Sequence, residues 1–201
     1  AVKSVIRPDQ ILKIYGTDYK EMTKELLCSA DAAGLIPDRH TLIGIKPNLV
    51  SPSSADQGGV THPEIVSGII EYLMENGFDN IIMLEGSWVG DKTSESYTAS
   101  GFDKVSELYG IPFYDLQKEA ASVTDCAGMD IEICDLAKRV EFLINVPVLK
   151  GHCQTHITCA LKNLKGLLTN REKRHFHACG LHEPIAHLNA FMHQDLIIVD
   201  N

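Results

Sequence analysis

Between Lys150 and Gly166 the chain reads Lys-Gly-His-Cys-Gln-Thr-His-Ile-Thr-Cys-Ala-Leu-Lys-Asn-Leu-Lys-Gly, and Arg171, Lys173, Arg174, His175 and His177 follow. Lysines and imidazoles set this closely can do two kinds of chemistry: they neutralise an anion and they move protons. From Lys150 to Leu181 six Lys/Arg stand against one acidic residue, Glu172, inside a chain of net charge −9. Seven of the nine histidines fall between His152 and His193. A basic, histidine-rich island in an acidic protein is what a site for an anionic ligand or a metal looks like. A solvated basic loop is the alternative that charge alone favours. The small residues and amides among the histidines weigh toward a site.

His152 and His156 are four residues apart, which on a helix gives one shared face, although the glutamate of a zinc-peptidase motif is missing. Lys150, His152, Lys162 and Lys165, if close, lower one another's proton affinity. A lysine so depressed is a nucleophile or base, and a neutral histidine shuttles protons. Lys162 and Lys165 take adjacent positions on one helical face. His182, His187 and His193 read as bystanders. The six cysteines (28, 126, 134, 153, 159, 179) contain no Cys-x-x-Cys, so no local iron–sulfur motif is present. They read as reduced and mostly buried thiols, in keeping with a cytoplasmic protein.

The elements that must position these groups alternate. Helix signals cover 18–35, 61–77 (with Thr61 as the capping residue), 94–109, 158–168 and 183–192. Strand signals cover 41–46, 80–85, 111–115, 140–147 and 196–199, and 122–137 reads as a hairpin or decorated edge. Strands separated by helices imply an α/β fold, three-layered, with a mainly parallel Rossmann-like sheet and helices on both faces. At 201 residues, with 44% hydrophobic and 22% charged residues, the chain suits one α/β domain over 1–201. A strand ending in Asp200-Asn201 suggests a piece of a longer protein. The acidic balance argues against nucleic acid. No apolar run approaches the roughly 18 residues that span a membrane. The opening Ala-Val-Lys-Ser-Val-Ile-Arg-Pro carries no long apolar leader.

Ligands of open parallel sheets bind beyond the carboxyl ends of the strands. Lys46-Pro-Asn48, Glu85-Gly-Ser87, Pro147 to His152 and Asp200-Asn201 all stand at such ends. Lys46, Lys150, Lys162 and Lys165 are therefore expected to neutralise an anion, Asn48 and Asn163 to orient it, and His152 and His156 to move protons. Glu85 is the reserve base or ligand. Gly58-Gly59 and Gly86 match no phosphate-loop pattern.

Lys46-Pro-Asn48, Thr61-His-Pro63, Glu85-Gly86, Pro147-Val-Leu-Lys150-Gly-His152 and Thr158-x-x-x-Lys162-Asn-x-Lys165-Gly166 with His175 together resemble the family known as domain of unknown function 362. The likeness runs from about Lys46 to Asp200. Many members of that family carry ferredoxin-type cluster motifs further on, and no such motif stands in this sequence. A more distant similarity is to the N-terminal domain of nickel-dependent lactate racemase, through His152, Lys162 ten residues on, and His175 or His177 beyond. That resemblance implies Lys162 as the tether of a nickel-containing cofactor, His152 as acid/base and His175 or His177 as metal ligand; the residues alone leave the metal open among nickel, iron and zinc.

Two readings follow. The first is an enzyme acting on a small carboxylate or phosphate by proton or hydride transfer, of isomerase or oxidoreductase kind. The second is a docking or maturation module that binds an acidic, ferredoxin-like partner through the basic segment 150–181; a homo-oligomer is the other protein partner expected.

Overall fold

The computed structural model describes residues 10–201; the opening octapeptide, expected to carry no leader, lies outside the described residues. Helix α1 (Tyr19–Ser29) begins at Asp18, whose carboxylate accepts the Glu21 N–H at 3.1 Å. A 3-10 turn over Ala32–Leu35 leads to strand β1 (Ile43–Pro47), a second at Ala55–Gln57 to helix α2 (Pro63–Glu75), and then comes β2 (Ile81–Glu85). Helices α3 (Thr93–Ala99) and α4 (Phe102–Tyr109), strand β3 (Phe113–Asp115) and the hairpin β4 (Ala121–Cys126) with β5 (Met129–Cys134) follow. Next are α5 (Asp135–Arg139), β6 (Phe142–Val146), the short hairpin β7 (Lys150–His152) with β8 (His156–Thr158), and α6 (Ala160–Asn163). A 3-10 turn over Leu164–Leu167, α7 (Asn170–Ala178), α8 (His182–Phe191) and β9 (Leu196–Ile197) complete the order.

Among the described residues five strands form one parallel sheet in the order β3-β2-β1-β6-β9, with helices around it, an α/β fold as the alternating signals imply. The chain runs outward from β1 through β2 to β3 and then returns to lay β6 on the other side of β1. The gap between β1 and β6 is thus the point where strand order reverses, and loops leaving there diverge. The side-chain period of two sorts the core. Ile43, Ile45, Ile81, Met83, Phe142 and Ile144 belong to one cluster with residues of α1, α2 and α4. Ile82, Leu84 and Leu143 belong to a second with the β4–β5 hairpin, Leu164, Leu167, Phe176 and Leu188. Each fully buried isoleucine of β1 contributes about 1.5–3 kcal/mol.

At the strand ends the same alternation places polar groups. Ile45 and Ile144 face the first cluster, so their successors Lys46 and Asn145, which are register partners, turn toward the second. A lysine and an amide enter the covered face of the sheet together.

Several elements differ from their sequence reading. The helix expected over 94–109 breaks at Gly101, which takes φ +82° and separates α3 from α4. The helix expected over 158–168 is the short α6 followed by a 3-10 turn, and α7 lies outside every expected helix. Thr61 does not cap α2. Its hydroxyl donates to the Val146 carbonyl at 2.8 Å and accepts the Asn48 N–H at 2.8 Å, and His62 takes the cap position. All six cysteines are free, and Cys126 and Cys134 are buried, but Cys28, Cys153 and Cys179 are exposed rather than packed. Among the described residues no helix is long and apolar enough to cross a membrane.

Candidate functional site

At the carboxyl end of β1 the fully buried ammonium of Lys46 lies 2.7 Å from Glu85 Oε2 and donates to the Pro47 carbonyl at 3.1 Å. Burial pushes this lysine down, and Glu85 opposes the shift. Glu85 stands at the end of β2, the neighbouring strand. Its Oε1 accepts the Gly86 N–H at 2.7 Å, and its Oε2 also accepts the Leu49 N–H at 3.3 Å. Both oxygens are therefore engaged by fixed donors. The geometry makes Glu85 the counter-charge of a buried lysine, and the N–H of Gly86 is bound to it rather than free for a phosphate.

The 3-10 turn after α6 closes over this pair. A methyl group on Gly166 would stand 1.7 Å from Glu85 Oε1 and 2.7 Å from Lys46 Nζ, so only glycine lets the backbone pass. From α7 the buried Lys173 donates to the carbonyls of Gly86 at 2.8 Å and Ser87 at 2.9 Å. Burial holds Lys173 at about 8; Glu85 resists the lowering and Lys46 adds to it. The sequence hides Lys173, because Arg-Glu-Lys-Arg reads as a solvated charge run.

Beside β1 lies a file of amides. Lys150 Nζ donates to Asn48 Oδ1 at 3.1 Å and to the Gly59 carbonyl. Asn48 Nδ2 donates to Asn163 Oδ1 at 3.0 Å, and Asn163 Nδ2 donates to Asn145 Oδ1 at 2.7 Å. Asn145 Nδ2 donates to Gln194 Oε1 and, at 3.0 Å, to the Ala160 carbonyl. Gln194 Nε2 donates in turn to Asn189 Oδ1 at 2.7 Å. Every amide points the same way, away from the ammonium at its head. Such a chain polarises along its length and fixes each member. The sequence does hold a signal for Asn145: a polar residue inside the apolar run Phe-Leu-Ile-Asn-Val.

The β7–β8 hairpin carries two of the histidines. His152 and His156 are cross-strand partners rather than successive turns of one helix, and the β-branched Ile157 and Thr158 favour that extended backbone. His156 adopts φ +60° and is exposed. His152 Nδ1 accepts the N–H groups of Gln154 and Thr155, each at 3.2 Å. In the neutral ring the proton therefore sits on Nε2. Burial first, then Lys162, Lys165, His177 and Lys150, lower the affinity of His152 for a second proton.

Lys165 Nζ lies 2.9 Å from His177 Nε2, and His177 Nδ1 lies 2.8 Å from Gln154 Oε1. An amide oxygen only accepts, so Nδ1 of His177 carries a proton and its Nε2 shares another with Lys165. Burial, Lys162 and Lys173 bring Lys165 down to about 7, and burial with Lys165 and Lys162 lowers His177. Lys150 falls to about 8 through burial, Lys162 and Lys46, with Glu85 opposing. Lys162 is lowered by burial and by Lys46, against the influence of Cys153.

Lys46, Asn48, Glu85, Lys150, His152, Lys162, Asn163, Lys165 and His177 thus form one connected set of contacts and charges. His175 takes part through none of these bonds: its Nδ1 lies 2.8 Å from Glu172 Oε1, and the residue is exposed. Among the described residues no group of three His, Cys, Asp or Glu side chains has an arrangement that could hold a metal ion. His177 has both nitrogens engaged and His152 one. This donor set does not fit a metal centre built from His175 and His177.

The family model described as domain of unknown function 362 matches residues 43–201. A thylakoid-associated protein of Synechocystis sp. is 23% identical over 133 residues, which are 66% of this chain and 41% of that protein. The chain therefore spans about two-fifths of the length of the curated relative it matches. A crystal structure of a protein from Thermotoga maritima superposes with a TM-score of 0.51 at 12% identity, covering 78% of this chain and 40% of the other. That likeness is one of fold.

Proposed function

The chain belongs to the domain of unknown function 362 family, and from its geometry we propose that it binds a small carboxylate or phosphate anion in the lysine pocket and moves a proton on it. One observation carries this reading. Lys46, Lys150, Lys162, Lys165 and Lys173 each lie within electrostatic reach of at least two of the others, and among the described residues Glu85 is the one carboxylate hydrogen-bonded to any of them. Partly desolvated cations in such excess lack a counter-ion, and an anion supplies it. The hydroxyl of Thr158, cross-strand from Lys150, is buried without a hydrogen-bond partner and adds a polar group in need of one.

The proton chemistry rests on two side-chain arrangements. Neutral His152 offers its Nε2–H as a hydrogen-bond donor to a developing oxyanion, as its Nδ1 is already taken. The Lys165–His177 pair holds a proton near neutrality, where a general acid–base works best. Lys150, fixed by Asn48, would neutralise the anion.

The docking alternative has less support. Of the six Lys/Arg in segment 150–181 only Arg171 and Arg174 are exposed, and Arg171 already pairs with Glu132 at 2.6 Å. The basic segment turns its charge inward. Calorimetric titration with phosphate and with oxalate tests the proposal, with Lys150→Met as the comparison. Saturable binding that the variant loses supports it; no binding, or equal binding by both proteins, overturns it.

A further inference from the structure

Four of the five pocket lysines are tied down. Lys46 is held by Glu85 and the Pro47 carbonyl, and Lys150 by Asn48 and the Gly59 carbonyl. Lys165 meets His177, and Lys173 spans the carbonyls of Gly86 and Ser87. The Lys162 amine alone makes no hydrogen bond or ion pair among the described residues, although the residue is half-buried. Its backbone is firmly set. The residue lies on α6 between Ala160, whose carbonyl accepts from Asn145, and Asn163, whose amide donates to Asn145 Oδ1.

We propose that Lys162 is the nucleophile of this pocket and forms a Schiff base with a small anion that carries a carbonyl group, a 2-oxo acid or an aldehyde bearing a carboxylate or phosphate. The inference rests on the anion-binding reading and names the class of its substrate. An amine adds to a carbonyl only through a free lone pair, and a lysine held in a hydrogen bond as an ammonium has none to give. Lys162 is free of such partners, and both its burial and the charge of Lys46 favour the neutral amine. Lys150 and Lys165 flank it electrostatically and would hold the anionic end.

The step balances within the pocket. The Nζ lone pair forms the C–N bond while the carbonyl π electrons move to oxygen, where the Nε2–H of His152 is a suitable donor. The two nitrogen protons leave with that oxygen as water, and a C=N bond remains. No oxidant or reductant is consumed. Once protonated, the imine is an electron sink that acidifies a neighbouring C–H. A carbon flanked only by a carboxylate is too weak an acid for a lysine or histidine base, so the sink gives the Lys165–His177 pair a proton within its reach.

The test is borohydride reduction of the full chain mixed with pyruvate or glyoxylate at neutral pH, followed by intact mass and peptide mapping. Oxalate, which has no electrophilic carbonyl of this kind, is titrated in parallel as a binding probe. The expected result is one reduced adduct on Lys162, enriched at least about tenfold over exposed lysines such as Lys104 and Lys118. Lys162→Arg, which keeps a long basic side chain and removes the nucleophile, should lose the adduct. Oxalate binding without a Lys162 adduct, or adducts spread evenly over exposed lysines, overturns the Schiff base and leaves the anion site standing. Failure of both trapping and oxalate binding overturns both.

Discussion

The backbone of Gly166 lies against the carboxylate of Glu85 so closely that a Cβ would fall 1.7 Å from Oε1. Glu85 cannot swing aside, since Lys46, Gly86 and Leu49 all hold it. Gly166→Ala should therefore force the 3-10 turn off the buried ion pair. We expect a loss of more than about 3 kcal/mol in guanidinium unfolding, against an ordinary surface substitution effect within about 0.5 kcal/mol. A variant of unchanged stability would show that the turn can lift away.

The ion pair itself separates two effects. Glu85→Leu leaves Lys46 buried without its partner, and a loss of roughly 3–5 kcal/mol is expected. Adding Lys46→Met to it should restore most of that loss, because a buried pair replaced by apolar groups of similar size is often neutral. If the double variant is no more stable than the single, the damage lies in the backbone donors of Gly86 and Leu49.

Asn163 donates to Asn145 Oδ1 at 2.7 Å and reaches the carbonyls of Pro47 and Lys46 at 3.4 and 3.5 Å. Asn163→Asp keeps the shape and removes every donor there, facing oxygen with oxygen. A destabilisation of about 2–4 kcal/mol is expected in thermal or chemical melts. The same change should weaken oxalate binding, because it sets a carboxylate beside Asn48, the partner of Lys150, where a neutral amide stood.

Binding should be linked to protons. Lys165 titrates at about 7 and Lys150 and Lys173 at about 8, all below the ordinary 10.5. An anion favours the ammonium form and raises these values, so above about pH 7 the complex holds more protons than its parts. Affinity should then fall as pH rises from about 7 through about 8. Calorimetry at about pH 8 in buffers of different ionisation enthalpy should register uptake of the order of one proton. Proton release, or affinity that climbs with pH, would contradict the lysine pocket.

Arg171 and Arg174 serve as the control. Both are exposed, and their replacement by alanine should change anion affinity by less than about twofold at about 0.15 M salt, where surface charge is screened over about 8 Å. A larger effect of these arginines than of Lys150→Met would favour a docking face.

Much of the frame was legible in the sequence, because short apolar runs and turn residues report local geometry faithfully. The strand-end rule singles out Lys46, Asn48, Glu85 and Lys150, and each stands at or just past the end of a parallel strand. Pairing was not legible. Asn145 stands beside Lys46 only because β6 pairs with β1 in one register, and Lys173 reaches Gly86 only because α7 exists at all. His152 and His156 invite a helix by spacing, yet a period of four says nothing when the backbone is extended. Gly166 falls inside the helix expected over 158–168 and is instead a point of close approach in a 3-10 turn.

The bonds that build the pocket close long stretches of chain: 39 residues from Lys46 to Glu85, 87 from Gly86 to Lys173, 102 from Asn48 to Lys150 and 115 from Asn48 to Asn163. Closing loops of that length costs entropy that grows as the logarithm of the length, so these bonds depend on the sheet to bring their ends together. During synthesis the first half of the chain can lay down β1 and β2 while Lys46 and Glu85 still await their lid. A ligand held there would report that the whole sequence of events had finished, and its occupancy would protect the last part to form.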